Sequence, residues 1–546
     1  MKHKIIPMIL CLMLCMAFMP AAAYADNAKT APEGKWTDSA ADKFAGGSGT
    51  AEDPYQIATP EQLAKLAADI NSGVGDKTHS KEHFKLTENL DLTAHRWIPI
   101  GTGPGANSFH SFSGYFDGNG KTISGLYVDE SQYSAGLFGH FSGYEIKNLT
   151  IKDGYVKTGS GDRDGAGILI GSATEGYGMS ISVENCSVSG TVESDSVATG
   201  GLAGYNSYGS YKNCTADVTL NGAGKAGGFV GEDFSGTYRG CVAKGKVSGS
   251  WSVGGFAGIL FYESNVEHCA SYGKVTATNW NCGGFAGYVE NGVRISECVA
   301  FSDVESKVDR FEPKLGGFAG TVNGSDGENT ISNSHAAGTI TMASSDYKAG
   351  GFAATLMGSN SFHSCSFDVE KNAGIKAVGG AASTDVDGVA EGSTQAVKAN
   401  ICKDYNNKHE LRHVSEKAAT CTEDGYKEYV ICDACGTMYD AESDLMTIIA
   451  APQVIKATGH KFGEWKINKE ATATEKGEKE RICSRCQFVE KVEIPATGGA
   501  STADPAKDNA DKSAKTGDDS TPALYGLLAL LAAGCAAGML YRRRKA

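Results

Sequence analysis

Residues 408 to 415 read KHELRHVS. His409 and His413 stand four apart with Glu410 beside the first. In this pattern a helix offers two imidazoles to a zinc ion and a carboxylate to the zinc-bound water. The same region is rich in soft ligands, because Cys421, Cys432 and Cys435 follow His409. One imidazole and three thiols are four N/S donors, enough to close a tetrahedral zinc site. Two chemistries therefore compete for these residues. One is an open, hydrolytic zinc on His409 and His413; the other is a closed, structural zinc on His409, Cys421, Cys432 and Cys435.

The surroundings decide between them. A hydrolytic zinc needs its histidines on one face of an apolar-backed helix, a third ligand downstream and a cleft. Upstream, CKDYNNK has no apolar face; downstream, EKAATCTEDGY reads as a turn. A second unit then repeats the layout, from HKFGEW to PATGG. His460 falls near the place of His409, Cys483 and Cys486 fall on Cys432 and Cys435, and Ala473 falls on Cys421. HELRH is replaced there, so Glu410 and His413 are not part of the repeated pattern. The expectation is a structural zinc in the first unit, with Cys483 and Cys486 of the second forming a disulfide or staying reduced. A zinc metallopeptidase is the lesser alternative.

What carries these units is a repetitive body. The chain holds 71 glycines against 12 prolines, and a Gly-rich block recurs. It reads AGLFG at 135, GGLAG at 200, GGFVG at 227, GGFAG at 254, 283 and 316, and GGFAA at 350, with a degenerate AGILIG near 166. After most blocks comes a segment ending in cysteine (VENCSV, YKNCTA, YRGCVA, VEHCAS, ISECVA, FHSCSF), then a third such as GKVSG. Three short strands and three turns in about 28 residues make one coil of a parallel β-helix, rising about 4.8 Å per coil. The expected fold is all-β: a right-handed parallel β-helix with a short N-terminal capping helix, then two small Cys-x-x-Cys β modules. Cys186, Cys214, Cys241, Cys269, Cys298 and Cys365 should form an inward stack, with Ser334 filling the missing rung. Cys282 is out of that register. TPEQLAKLAADI predicts the cap: Thr59 at the N-cap, Pro60 first, and Leu63, Leu66, Ala67 and Ile70 on the covered face.

The GGFAG blocks with their following NC and G-x-V segments, over roughly 131 to 370, resemble the GLUG repeat. The stretch from GSGTAEDPYQIATPEQLAKL to FSGYFDGNGKTISGLYV is similar to the lead-in of such proteins. That resemblance implies a bacterial surface protein. GLUG repeats also accompany immunoglobulin-cleaving metalloproteases, in which the protease is a separate domain. The paired units at 408 to 498 resemble a small Cys-x-x-Cys repeat of surface proteins in anaerobic Firmicutes.

The two ends set the expected address. Residues 1–25 have a basic start, an apolar core and an A-x-A-like site closing at Ala25, the pattern of a signal peptide. Residues 522–541 are apolar enough for one bilayer crossing, and 542–546 are a basic cytoplasmic tail. Lys515-Thr516-Gly517 before that span resembles a Gram-positive sorting signal, which implies sortase and peptidoglycan as partners, although Ser513-Ala514 replaces the usual Leu-Pro. Expected boundaries are 26–130 for the capping segment, 131–395 for the repeats, 396–498 for the modules and 499–521 for a polar stalk. The formal charge of −14, without a basic stripe, argues against nucleic acid.

Function is expected on the β-helix. Scattered acids (Asp162, Asp164, Asp217, Asp233, Asp303, Asp309) do not recur at one coil position, as a glycan-cleaving carboxylate pair need not. Tyr205, Tyr208, Tyr211, Trp251, Tyr262 and Trp280 are candidates to stack on sugars. The leading expectation is non-catalytic adhesion or binding of an extracellular glycan or host ligand, the alternative a polysaccharide-degrading enzyme.

Overall fold

The computed structural model describes residues 29–498 apart from 74–78, 80, 103–109, 131–133, 160–164, 175–180, 196, 308–312, 344–347, 380–385, 406–410, 434–435, 442–447 and 450. Ala25, the sorting-signal residues 515–517 and the apolar span 522–541 lie outside the described residues. No described helix is long and apolar enough to cross a membrane.

The repeat region is a parallel β-solenoid of about nine turns. One coil illustrates the rest. Ala198–Gly200, Ala203–Ser207, Ser210–Lys212 and Thr215–Gly222 follow one another round the coil, and each pairs in parallel with its counterpart in the next. Buried and more open positions alternate along Ser210–Lys212 and Thr215–Gly222, as a pleated strand half-buried in a core requires, while Ala198–Gly200 is buried throughout.

Identical positions of successive coils stack, and the expected cysteine column is present. Cys241 N–H donates to Cys269 Sγ at 3.4 Å, Cys269 N–H to Cys298 Sγ at 3.4 Å, and Cys298 N–H to Ser334 Oγ at 3.2 Å. Ser334 substitutes faithfully: its hydroxyl donates to the carbonyl of Ser332 (2.8 Å), as Cys298 Sγ does to that of Ser296 (3.2 Å). Burial raises the Cys269 thiol well above the ordinary range and pushes Cys365 up to about 11. These are packing groups. Cys282 is buried too, on a different strand, between Val253 and Leu315.

A second column comes from the aromatic residue of the Gly-rich block. Phe229, Phe256, Phe285, Phe318 and Phe352 are fully buried and stack face to face, with ring centroids 4.8–4.9 Å apart. Neighbouring glycines permit it: a Cβ on Gly284 would meet the Gly317 carbonyl oxygen at 2.1 Å. Each cysteine follows a residue in the left-handed region, such as Asn185 (φ 54°) and Asn213 (φ 53°), where asparagine is tolerated. Their amides form a ladder, Asn213 to Asn185 at 3.4 Å and Asn185 to Asn148 at 3.3 Å.

The cap forms as expected. Helix α1 (Pro60–Ser72) starts with Thr59 Oγ1 accepting from the Gln62 N–H and ends at Gly73 in the left-handed region. Its buried face joins the solenoid core. A second helix, α2 (Thr394–Asp404), was not anticipated. Ser393 caps it, Val397 and Ile401 pack with Val299 and Ala337, and Asp404 meets buried His335 at 3.2 Å.

The chain divides into two compact units. One holds the chain to Ala419 with Asp424–Lys456; the other holds Thr420–Glu423 and the residues from Ala457. In the first, Leu411–Val414, Tyr429–Cys432, Met438–Asp440 and Ile448–Ile449 form an antiparallel sheet. In the second, Lys466–Lys469, Gly477–Ile482 and Val489–Ile494 form another.

Candidate functional site

His413 stands on a strand and not on the helix that a hydrolytic zinc motif requires. His409 and Glu410 lie outside the described residues, while Leu411–Val414 pairs with Tyr429–Cys432. His413 is exposed and faces Glu428 at 3.4 Å.

Of the expected zinc ligands, Cys421 and Cys432 are described, and they stand in different clusters. Cys421 stands with His460, Cys483 and Cys486, and their ligand atoms all lie within 4.8 Å of one another. Cys432 faces Cys402 of helix α2, sulfur to sulfur 3.5 Å. Cys435, like His409, is outside the described residues. The expected set took all its donors from one unit. Instead, the turn bearing Cys421 leans on the following unit, where the Thr458 N–H donates to the Thr420 carbonyl at 2.9 Å.

The three cysteines of this cluster sit on backbone-closed turns. The turn Thr420–Glu423 closes through the Thr420 N–H to the Glu423 carbonyl (3.0 Å) and the Glu423 N–H to Thr420 Oγ1 (2.9 Å). Cys483 and Cys486 sit on a knuckle: the Gln487 N–H donates to the Cys483 carbonyl (2.9 Å), the Cys483 N–H to the Phe488 carbonyl (2.8 Å), and Gln487 has φ 62°. The Cys432 turn repeats this with Gly436 and Thr437. Cys421 and Cys483 sulfurs are 3.9 Å apart, and Cys486 Sγ is 3.2 Å from His460 Nδ1. Burial and the neighbouring Cys486 and Cys483 sulfurs raise the Cys421 thiol. For Cys483, burial pushes upward but the N–H groups of Cys486 and Arg485 and the His460 ring outweigh it, bringing the thiol down to about 5.

The solenoid offers a different surface. Two outward rows cross successive coils on one sheet. The first runs Tyr205, Glu232, Ile259, Tyr288; the second runs Ser207, Phe234, Phe261, Glu290. At the adjoining corner Tyr208 and Tyr262 are exposed, 52% and 43%. Phe234 links them, its ring centroid 5.4 Å from Tyr208 and 5.0 Å from Tyr262. Glu232 is paired with Lys225 at 2.5 Å; burial raises the Glu290 carboxyl, which the Asn323 amide contacts at 2.9 Å. Another corner carries Trp251 and Trp280 on adjacent coils, the most exposed aromatics described, at 62% and 59%.

Tyr211 belongs to neither surface. It is fully buried with Tyr238, and the two rings stack at 5.1 Å. Its hydroxyl donates to Asn206, whose amide reaches Asp233 at 2.6 Å; Tyr238 and Ser264 also bond Asp233. Asp233 is thus sealed inside the coil, beyond reach of a polymer substrate. Asp162, Asp164 and Asp309 lie outside the described residues. A groove lined by Lys212, Arg239, Glu267, His268 and Glu297 is cross-linked by its own charges, with Arg239–Glu267 at 3.2 Å and His268–Glu297 at 3.4 Å.

Residues 195–221, one coil of the solenoid, match the model of the GLUG motif. This coil carries a GLUG motif. A protein of Evansella cellulosilytica named as a Gly-rich membrane protein is 31% identical over 154 residues, covering 27% of this chain and 15% of that protein. Halomucin of Haloquadratum walsbyi is 37% identical over 127 residues, 23% of this chain and 1% of its own length. The chain therefore spans a small fraction of both relatives. A solved structure from Bacteroides ovatus, described as an immunoglobulin A1 protease, aligns with TM-score 0.35 and 20% identity over 58% of this chain and 86% of that one. The motif match covers one coil, and the likeness to each relative covers about a quarter of this chain.

Proposed function

We infer that this chain is a non-catalytic surface protein whose solenoid binds carbohydrate polymers through its outward aromatic rows. The observation that supports this most is the outward pair Phe234 and Phe261 on neighbouring coils, edged by exposed Tyr208 and Tyr262, with Tyr205 and Tyr288 on the adjoining row one coil to either side. Aromatic rings offer flat apolar faces with little side-chain entropy to lose, and tyrosine adds a hydroxyl at its rim. Because the rows follow the stacking axis, a linear polymer lying along it meets an aromatic ring of one row or the other on each of these four coils. Weak contacts then add through effective concentration. In this reading residues 1–25 direct export with cleavage after Ala25, and the segment from Lys515-Thr516-Gly517 through 522–541 holds the chain at the cell surface by sortase transfer to peptidoglycan or by the span itself.

The test is retention of the full chain on immobilised polysaccharides, with reducing and unsaturated ends assayed in the same incubation. Saturable retention without new ends is the expected result. Release of ends would make the solenoid an enzyme. Absence of retention on every polymer would make it a structural surface component.

A further inference from the structure

We propose that Cys421, His460, Cys483 and Cys486 form a structural zinc site built across a repeat boundary, one unit giving the thiol of its turn and the next giving an imidazole and a Cys-x-x-Cys knuckle. A tetrahedral zinc with Zn–S near 2.3 Å sets its sulfurs about 3.8 Å apart. Cys421 and Cys483 stand at 3.9 Å, far beyond the roughly 2.05 Å of a disulfide. Four protein donors close the coordination sphere, which leaves no open position for substrate, so the metal holds structure.

A second observation points the same way. Among the described residues of this compact unit, the only buried hydrophobic side chains are Cys421 and Cys483 themselves. Ile467, Ile482, Phe488, Val489 and Val492 are all substantially exposed. A domain this small without an apolar core needs a metal or a cross-link to fold. Zinc binding to thiolates supplies that free energy and releases their protons as the ion enters.

The repeat over residues 461–498 departs from the preceding one in a matching way. The turn Thr472–Glu475 reproduces Thr420–Glu423 bond for bond. The Thr472 N–H donates to the Glu475 carbonyl at 3.0 Å, and the Thr497 N–H donates to the Thr472 carbonyl at 2.9 Å, as Thr458 does to Thr420. Yet Ala473 stands where Cys421 does, and Gly499 follows KATG's counterpart PATG where His460 stands. The cysteine and the histidine are absent together at the turn after which residues 499–546 hold no Cys-x-x-Cys. A site confined to one unit gives no reason for that joint loss; a site shared between consecutive units requires it.

The experiment measures zinc in the full chain by mass spectrometry and cobalt spectra after exchange. The wild-type chain should hold one metal equivalent more than Cys421→Ser and Cys486→Ser chains, with cobalt showing thiolate charge-transfer bands that weaken in each. His413→Ala should hold as much as wild type, and His460→Cys should retain the metal with a shifted cobalt spectrum, which separates lost ligation from misfolding. Chelation should open residues 457–498 to protease while the solenoid resists. Undiminished metal in Cys421→Ser, or cysteines in this cluster that titrate only after reduction, would overturn the proposal.

Discussion

Replacing Phe285 by alanine tests the stacking logic of the solenoid. Phe285 is fully buried and lies between Phe256 and Phe318, each with its ring centroid 4.9 Å away and nearly parallel. Phenylalanine-to-alanine changes in cores cost about 3–5 kcal/mol, and two lost stacking partners place this site toward the upper end. Glycines line the column, so backbone contacts already at their limit leave little room for collapse into the cavity. Leucine should be milder, about 1–2 kcal/mol, because the chain already places Leu202 at the equivalent rung, bonded to the Phe229 carbonyl. The control is Phe261→Ala, a partly exposed ring on the outward row, expected to cost about 1 kcal/mol or less. Urea unfolding of the full chain at unchanged m-value reads all three. Equal losses for Phe285→Ala and Phe261→Ala would refute the claim that the inner column, and not aromatic content as such, holds the coils together.

Other outcomes follow from the same geometry. Asn185→Ala should cost about 1–2 kcal/mol by thermal unfolding, and Asn185→Gly less, because φ 54° strains alanine but not glycine. His140 is buried and its imidazole is pushed down to about 4 by desolvation. With the folded value below the unfolded one near 6.5, the unfolded chain binds more protons between those pH values, so the contribution is intact above pH 6.5 and lost as pH falls toward 4. By pH 5 that is roughly 2 kcal/mol, and His140→Gln should flatten this part of the stability profile. The solenoid thiols from Cys214 to Cys298 should stay unreactive toward a disulfide reagent until denaturant is added, since all are fully buried.

Much of the solenoid is legible in the sequence because each coil repeats one set of steric demands. A small residue must follow a left-handed corner and point inward, so cysteine and serine recur there. Helix α1 is legible because its cap residues and its apolar face coincide. Helix α2 carried the same kind of signal, Ser393 at the N-cap and Val397 and Ile401 one turn apart, hidden by its short length and by its position after the last repeat. Tyr211 was assigned to the surface by type, yet its neighbours Ser210 and Lys212 are polar, and in a three-residue strand that alternation turns the middle residue inward. The outward phenylalanines were missed for the converse reason, since burial of phenylalanine is the usual expectation. The grouping of Cys421 with His460, Cys483 and Cys486 is hard to read from sequence, because alignment of repeats finds equivalent residues while groups that meet in space need not be equivalent.

If the outward aromatic rows bind carbohydrate, retention must depend on their rings. The most direct measurement compares polysaccharide retention of the wild-type chain with a Tyr208→Ala, Phe261→Ala, Tyr262→Ala chain whose melting temperature is checked to be unchanged. At about 25 cal/mol per Å² of apolar area covered, a ring face under a sugar is worth about 1 kcal/mol, so removing three should weaken retention at least tenfold. Retention equal to wild type in a folded triple variant would contradict the account and move the binding surface elsewhere on the molecule.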